Sequence, residues 1–452
     1  MARRGDFPNR VLFAACALAA AQAGPAFAQC TSVGWLNPSA PPPFLTDISQ
    51  APGSGFCQFE EFSSWNFASL VLGRSPAFAT WPSSEQVFPA SGPPQCGAAA
   101  SLGTGLKHRL GKGATPAAVA TLGDILQASG QPLVDQNARY VQFETRVDPG
   151  LCQAITGCQL YTKSCITAAG TAAYTFPSGV TGSNPQNSTP GVAEVKLAWR
   201  VMETCNLPDS PKPCKKDDLS QFFWVPNVSV QPYSPANQGQ VSNLTIGLVG
   251  FHLVQKTPTH PEFIWATWEH IANAPVCKGS NNTQCQDPSA PSSGLSTASG
   301  WSLSNPKAST SYNVASYNPA TPATQPITQV CRVAPCGNGD QTNIGQLNKA
   351  VRAKLGSNVW ANYFLIGTVW GNPKTFPPTG PSNSVGSTQL ANTSMETFVQ
   401  LPTITCFSCH NAGASVNFSS VVDVDFTHLL VHAQQAGSAC TVNFATCNGT
   451  AK

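Results

Sequence analysis

The 452-residue chain is short of charge. Asp, Glu, Lys and Arg make up only 10% of it, against roughly 25% in an average soluble domain. That leaves little material for charged amphipathic helices or coiled coils. The formal net charge is +3, with no basic patch, which argues against a nucleic-acid partner. Methionine is scarcer still, with 3 residues. There is no P-loop, dinucleotide-binding glycine motif or nucleophile elbow, and no convincing internal repeat. Beyond residue 28, no apolar run has the length of a transmembrane helix.

Turn formers are plentiful instead, with 37 Gly and 39 Pro. They predict many turns and long irregular connections. Hydrophobic residues are 41% of the chain, enough for a sizeable core, and the length suits two or three domains.

The N-terminus has the form of a secretory signal over residues 1–28. Arg3, Arg4 and Arg10 make a basic start, Val11 to Ala23 is an apolar stretch, and Ala26-Phe27-Ala28 supplies a small-x-small cleavage pattern. Its removal takes away three Arg and one Asp, leaving a net charge of +1. The expected location is the periplasm, with no membrane span in the mature chain.

Cysteine usage agrees with export. Of 17 cysteines, Cys16 leaves with the signal and Cys406 and Cys409 belong to a motif described below. The remaining 14 are an even number, as a disulfide framework requires. Cys205 with Cys214, Cys277 with Cys285, Cys331 with Cys336, and Cys440 with Cys447 are close enough in sequence to staple local loops. Cys30, Cys57, Cys96, Cys152, Cys158 and Cys165 form an N-terminal group whose pairing stays open.

The fold expected is α+β: a large antiparallel β-rich domain, sandwich or barrel-like, with long loops, plus a small helical C-terminal haem-binding segment. Residues 29–139 form a Pro/Ser/Gly-rich region with one helix, from Thr115-Pro116 to about Ser129. Residues 140–340 form the β-rich domain. Period-two patterns mark strands at Tyr140–Val147, Val192–Met202, Phe222–Val230, Leu244–Gln255 and Phe263–Ile271. Pro226 demotes the third to an edge or bulged strand. Residues 341–452 turn helical: Ile344, Leu347, Val351 and Leu355 recur at helical spacing. Thr393-Ser394-Met395-Glu396 has capping-box spacing, and a last helix is expected from Phe426 to Gln435.

The chemistry sits at Cys406-Phe407-Ser408-Cys409-His410. Two thiols separated by two residues and followed at once by His are the attachment signature of c-type haem. The spacing puts both sulfurs on one side of a helical turn, under the two vinyl groups, and sets the imidazole at the iron. One covalent haem is expected, with His410 as the proximal iron ligand. Only 42 residues follow His410, so upstream segments must complete the haem's cover.

Three residues are candidates for the sixth iron position. Met395 lies just before the motif. His270 ends an apolar strand beside Glu269. His428 stands four residues before His432, a spacing that suits a metal. His108, His252 and His260 read as ordinary surface or structural residues.

The strings Trp265-Ala266-Thr267-Trp268-Glu269-His270, Leu390-Ala391-Asn392-Thr393-Ser394-Met395-Glu396-Thr397-Phe398, Cys406 to His410 and Asp425-Phe426 resemble a group of bacterial secreted single-haem cytochrome c family proteins. The similarity covers about residues 140–435. It implies a periplasmic haem protein in electron transfer and names no substrate. Small cytochromes c carry the motif near the N-terminus with a Met ligand downstream; here the motif is near the C-terminus and no Met follows.

The function expected is a periplasmic monohaem c-type cytochrome serving a redox partner protein. The alternative is a haem peroxidase or oxygenase with an open iron face, its distal pocket built from His270 and Glu269 or from Trp265 and Trp268. The oligomeric state is left open.

Overall fold

The computed structural model describes residues 33–97, 131–171, 174–182, 188–207, 216–231, 241–277, 301–305, 327–334, 341–371, 384–401, 404–410, 427–433 and 439–447, with some single residues between them. The signal-like segment, most of the expected helix at 115–129, and His108, Cys285 and Asp425 lie outside them.

The architecture is built on one antiparallel sheet of seven strands. These are β1 (Gln142–Val147), β2 (Ala193–Met202), β3 (Trp224–Val230), β4 (Val241–Gln255), β5 (Ile264–His270), β6 (Tyr363–Gly371) and β7 (Ser384–Gly386). Their order is β1-β2-β4-β5-β6-β7, with β3 pairing the first half of β4. Among the described residues the path runs from β1 to β7 without closing on itself, with only an isolated Ser83–Arg146 bridge beyond β1, so one open sheet stands where a sandwich or barrel was expected. The expected β3 irregularity is present: its register shifts between Val225 and Val228, around Pro226.

Residues 363–371 and 384–386, expected in a helical segment, are strands of this same sheet. An apolar run such as Tyr363–Trp370 reads equally as buried helix or buried strand until its neighbours are known. The helix expected at 344–355 is present as Gln341–Leu355.

The sheet is covered on both sides, and every residue of β5 is buried. On one face lie the helices α1 (Phe56–Val71) and α5 (Gln341–Leu355), where Phe67, Leu70, Ile344 and Leu347 pack on Val195, Leu197, Phe251, Leu253 and Trp268. Phe67 stacks on Trp268 at 4.5 Å between ring centres. A short turn, α2, spans Ser84–Val87.

The opposite face is covered by α3 (Pro149–Gly157), α4 (Lys163–Thr171) and the C-terminal segments. Leu151, Ile155 and Ile166 join Val254, Trp265, Val369, Phe407, Leu429 and Leu430 in one apolar cluster. Asp148 caps α3 by accepting from the Leu151 and Gly150 amides.

Six disulfides join pairs of described residues: Cys30–Cys57, Cys96–Cys152, Cys158–Cys447, Cys165–Cys440, Cys205–Cys214 and Cys277–Cys331; Cys336 is disulfide-bonded as well. Of the local staples expected, only Cys205–Cys214 forms. Cys440 and Cys447 pair with Cys165 and Cys158 because the tail lies against α3 and α4. Gly157 sits so close to the Cys447 carbonyl that a Cβ there would meet its oxygen. Among the described residues, no helix is long and apolar enough to cross a membrane.

Candidate functional site

β-Sheet register determines what faces the motif. Lys196 on β2 pairs with His252 on β4, which pairs with Thr267 on β5. One row over, Glu194 pairs with Val254, and Val254 with Trp265. Because side chains alternate across a strand, Glu194, Lys196, His252, Val254, Trp265 and Thr267 share one face. Trp268 and His270 point to the other.

A strap formed by residues 389–401 crosses this face. Asn392 donates to the Thr267 hydroxyl at 2.9 Å and to the Trp268 carbonyl at 2.8 Å. The Thr393 amide donates to Glu269 at 3.0 Å. The capping arrangement falls one residue earlier than its spacing suggests: the Asn392 amide donates to Glu396 and the Ser394 amide to the Asn392 side chain. Ser394 and Met395 press on Gly250, where a Cβ would overlap Ser394. This is the close approach that requires glycine at that point of β4.

The strap leads into the motif. The amide of Leu390 donates to the Ile404 carbonyl at 2.8 Å. Cys406–Cys409 then form a single helical turn, α6, closed by the His410 amide donating to the Cys406 carbonyl at 2.8 Å. The Thr405 amide donates to the Ser408 hydroxyl at 3.0 Å. Phe407 is buried in the apolar cluster and anchors the turn, while Cys406, Cys409 and His410 are half-buried.

Cys406 and Cys409 form no disulfide; every other described cysteine does. Burial, then the Glu396 carboxylate, push both thiols upward, Cys406 most strongly. Both are therefore held as neutral thiols, the unreactive form. Burial acts against Glu396 ionising, but His252 at 3.0 Å, Lys196 and the Asn392 amide together keep this carboxyl below its ordinary range.

The His410 ring lies 4.0 Å, centre to centre, from the Trp265 indole and 4.5 Å from the His428 imidazole. His428 opens a 3-10 turn, His428–His432, in place of the helix expected at 426–435. It also bonds the Cys409 backbone. His428 is exposed to solvent; partial desolvation of the ring and then the Lys196 ammonium lower its pKa to about 4. His432 turns instead toward Phe88, so the two histidines do not share a ligand.

The other residues expected as sixth-ligand candidates lie elsewhere. His270 is fully buried and stacks on Phe222 at 4.0 Å. Its Nε2 donates to the Gln221 carbonyl and its Nδ1 accepts from the Ala272 amide, so neither nitrogen offers a lone pair. Met395 is buried in a cluster with Ala198, Met202 and Val249 that contains no motif residue. The alternative distal pocket is divided likewise: Trp265 and Trp268 occupy opposite faces of β5, and Glu269 is spent on Thr393 and Arg332.

Sequence reasoning passed over His252 and Glu396 as parts of the site. The signal was present in β4, where His252 interrupts the alternation between Gly250 and Val254 on the face away from Phe251 and Leu253. Among the described residues, no group of three or more His, Cys, Asp or Glu side chains is arranged around a bare metal ion. No family model, curated protein or solved structure matches the chain.

Proposed function

We propose that this chain is an exported single-haem c-type cytochrome that passes electrons to a partner protein. Cys406 and Cys409 would hold a haem covalently, and His410 and His428 would hold its iron. The observation that carries this reading is the pair of unpaired thiols. In a chain that oxidises its other described cysteines, the two exceptions share one helical turn, and that turn closes on an imidazole.

When bound, the haem supplies a one-electron iron couple. The chain's residues account for the rest. Phe407 fixes the turn in the apolar cluster, and Trp265 supports the His410 ring from the sheet side. Half-burial of the motif keeps it near the surface, where a partner can approach.

The two imidazoles, 4.5 Å apart between ring centres, would hold the iron, and His428, exposed on a short turn, is the side chain that would rotate to admit it.

The test is production of the full chain in a host that exports it and matures c-type haem. A denaturing gel stained for haem and a pyridine haemochrome assay should report one covalent haem per chain. Replacement of both Cys406 and Cys409 by Ala should abolish the stain. Staining that survives the double replacement, or a native chain without covalent haem, would falsify the reading.

A further inference from the structure

We infer that Glu194 is a positioning residue that sets His428 against the motif through the hydroxyl of Thr427. The inference rests on the reading of His428 as an iron ligand.

Glu194 and Trp265 belong to one row across the sheet, joined through Val254. At one end of the row, Trp265 touches the His410 ring. At the other, Glu194 accepts a 2.8 Å hydrogen bond from the Thr427 hydroxyl. Thr427 is the residue before His428, and its oxygen accepts from the Leu429 amide at 3.1 Å, capping the turn that carries His428. The same row of the sheet thus supports both imidazoles.

His428 bonds the Cys409 backbone, but it is exposed on a short turn, and that turn must itself be held. Its position is inherited from its neighbours. Leu429, Leu430 and Ala433 anchor the far side of the turn in the apolar cluster. Thr427 anchors the near side, and Thr427 and Glu194 are both buried. A carboxyl kept away from water is costly unless it does something there. Burial pushes Glu194 up to about 7, and the Thr427 hydroxyl and then the nearby Lys196 only partly offset this. A methyl-bearing side chain would fill the space more cheaply and leave Thr427 without its acceptor.

The test uses the haem-loaded full chain, with His428→Ala as reference. Ferric absorption spectra and titration with free imidazole are recorded for Glu194→Gln, Glu194→Ala and Thr427→Val. Glu194→Gln keeps an acceptor and should retain the native spectrum. Glu194→Ala and Thr427→Val should move toward the His428→Ala spectrum and bind imidazole at least tenfold more tightly than the native protein. Thr427→Val preserves shape and leaves the carboxyl in place, so it decides the matter if Glu194→Ala fails to fold. Spectra and imidazole affinities within twofold of native in Thr427→Val would overturn the inference while the haem reading stands. A native chain that binds imidazole as His428→Ala does would remove His428 as a ligand, and the inference with it. Absence of covalent haem would overturn the functional reading itself.

Discussion

The imidazole of His428 stands edge-on to that of His410, with ring centres 4.5 Å apart and planes at 70°. The two residues come from separate segments, one from the motif turn and one from a surface turn beyond it. Their meeting distinguishes His428 from the other candidates for the sixth iron position and leads to the first prediction. In the haem-loaded protein, His428→Ala should change the ferric spectrum and open the iron to carbon monoxide after reduction. Met395→Leu and His270→Gln should leave both properties as in the native chain. A native spectrum in His428→Ala, or a changed one in Met395→Leu, would reverse the assignment.

Glu194 should make stability fall as pH rises. Burial raises its pKa from 4.5 to about 7 in the folded chain, so the folded state holds this proton more tightly than the unfolded state does. The stability cost then builds between pH 4.5 and 7 and is complete above that. Glu194→Gln removes the cost. The variant should gain about 3 kcal/mol on the native protein between pH 4 and 8, at about 1.4 kcal/mol per pKa unit. Denaturant melts at the two pH values measure it, and parallel pH profiles would refute it.

His270 should act in the opposite direction. Burial lowers its pKa from 6.5 to about 3. Protonating Nδ1 would also set an N–H against the Ala272 amide that now donates to it. The unfolded chain binds the proton more readily, so stability falls as pH drops from 6.5 toward 3. The contribution over the full titration is on the order of 5 kcal/mol, and thermal melts of native and His270→Gln protein between pH 7 and 4 should converge as the pH falls.

Gly250→Ala should loosen the strap. The added methyl would meet Ser394, the Met395 methyl at 3.1 Å and Ala198 Cβ at 3.3 Å. Overpacking of this kind costs about 1–3 kcal/mol. Hydrogen exchange of the Asn392, Ser394 and Met395 amides should accelerate more than exchange on α1, and equal acceleration of both would count against a local effect.

The pair Cys158→Ser/Cys447→Ser should cost about 3 kcal/mol, because the parallel Cys165–Cys440 link already joins the same two segments and leaves only a short loop for this one to close. Cys205→Ser/Cys214→Ser spans 9 residues, and the logarithmic dependence of loop entropy makes its cost nearly the same, within about 0.5 kcal/mol. Urea melts under non-reducing conditions compare the two.

Legibility in the sequence followed the range of the information. β2 announced itself because Val195, Leu197, Trp199 and Val201 alternate with Glu194, Lys196 and Arg200. Helix α1 did not, because nearly its whole circumference is buried, including Glu60, Glu61, Ser63 and Ser64. Those polar positions erase the helical period that would reveal it. β6 was hidden for the opposite reason, since a wholly apolar run has no period to read. At the site, the motif is local and was legible. Trp265, His252 and Lys196 are brought to it by strand register, and Glu396 by the path of the strap. His428 was legible as a candidate, but for a reason the structure does not use: its spacing from His432 suggested a shared metal, and the two rings go to different neighbours.

The cysteine pairs also order events in time. Cys158 and Cys165 precede their partners by 289 and 275 residues. A chain emerging N-terminus first exposes these two thiols long before Cys440 and Cys447 can meet them, and it presents Cys406 and Cys409 in between. The thiols that end unpaired are thus offered to waiting cysteines earlier than the rightful partners, and thiol–disulfide exchange does not discriminate by destination. On the haem reading, covalent attachment works as a protecting group. By turning Cys406 and Cys409 into thioethers it withdraws them from exchange, so that the last cysteines to arrive find their partners still vacant.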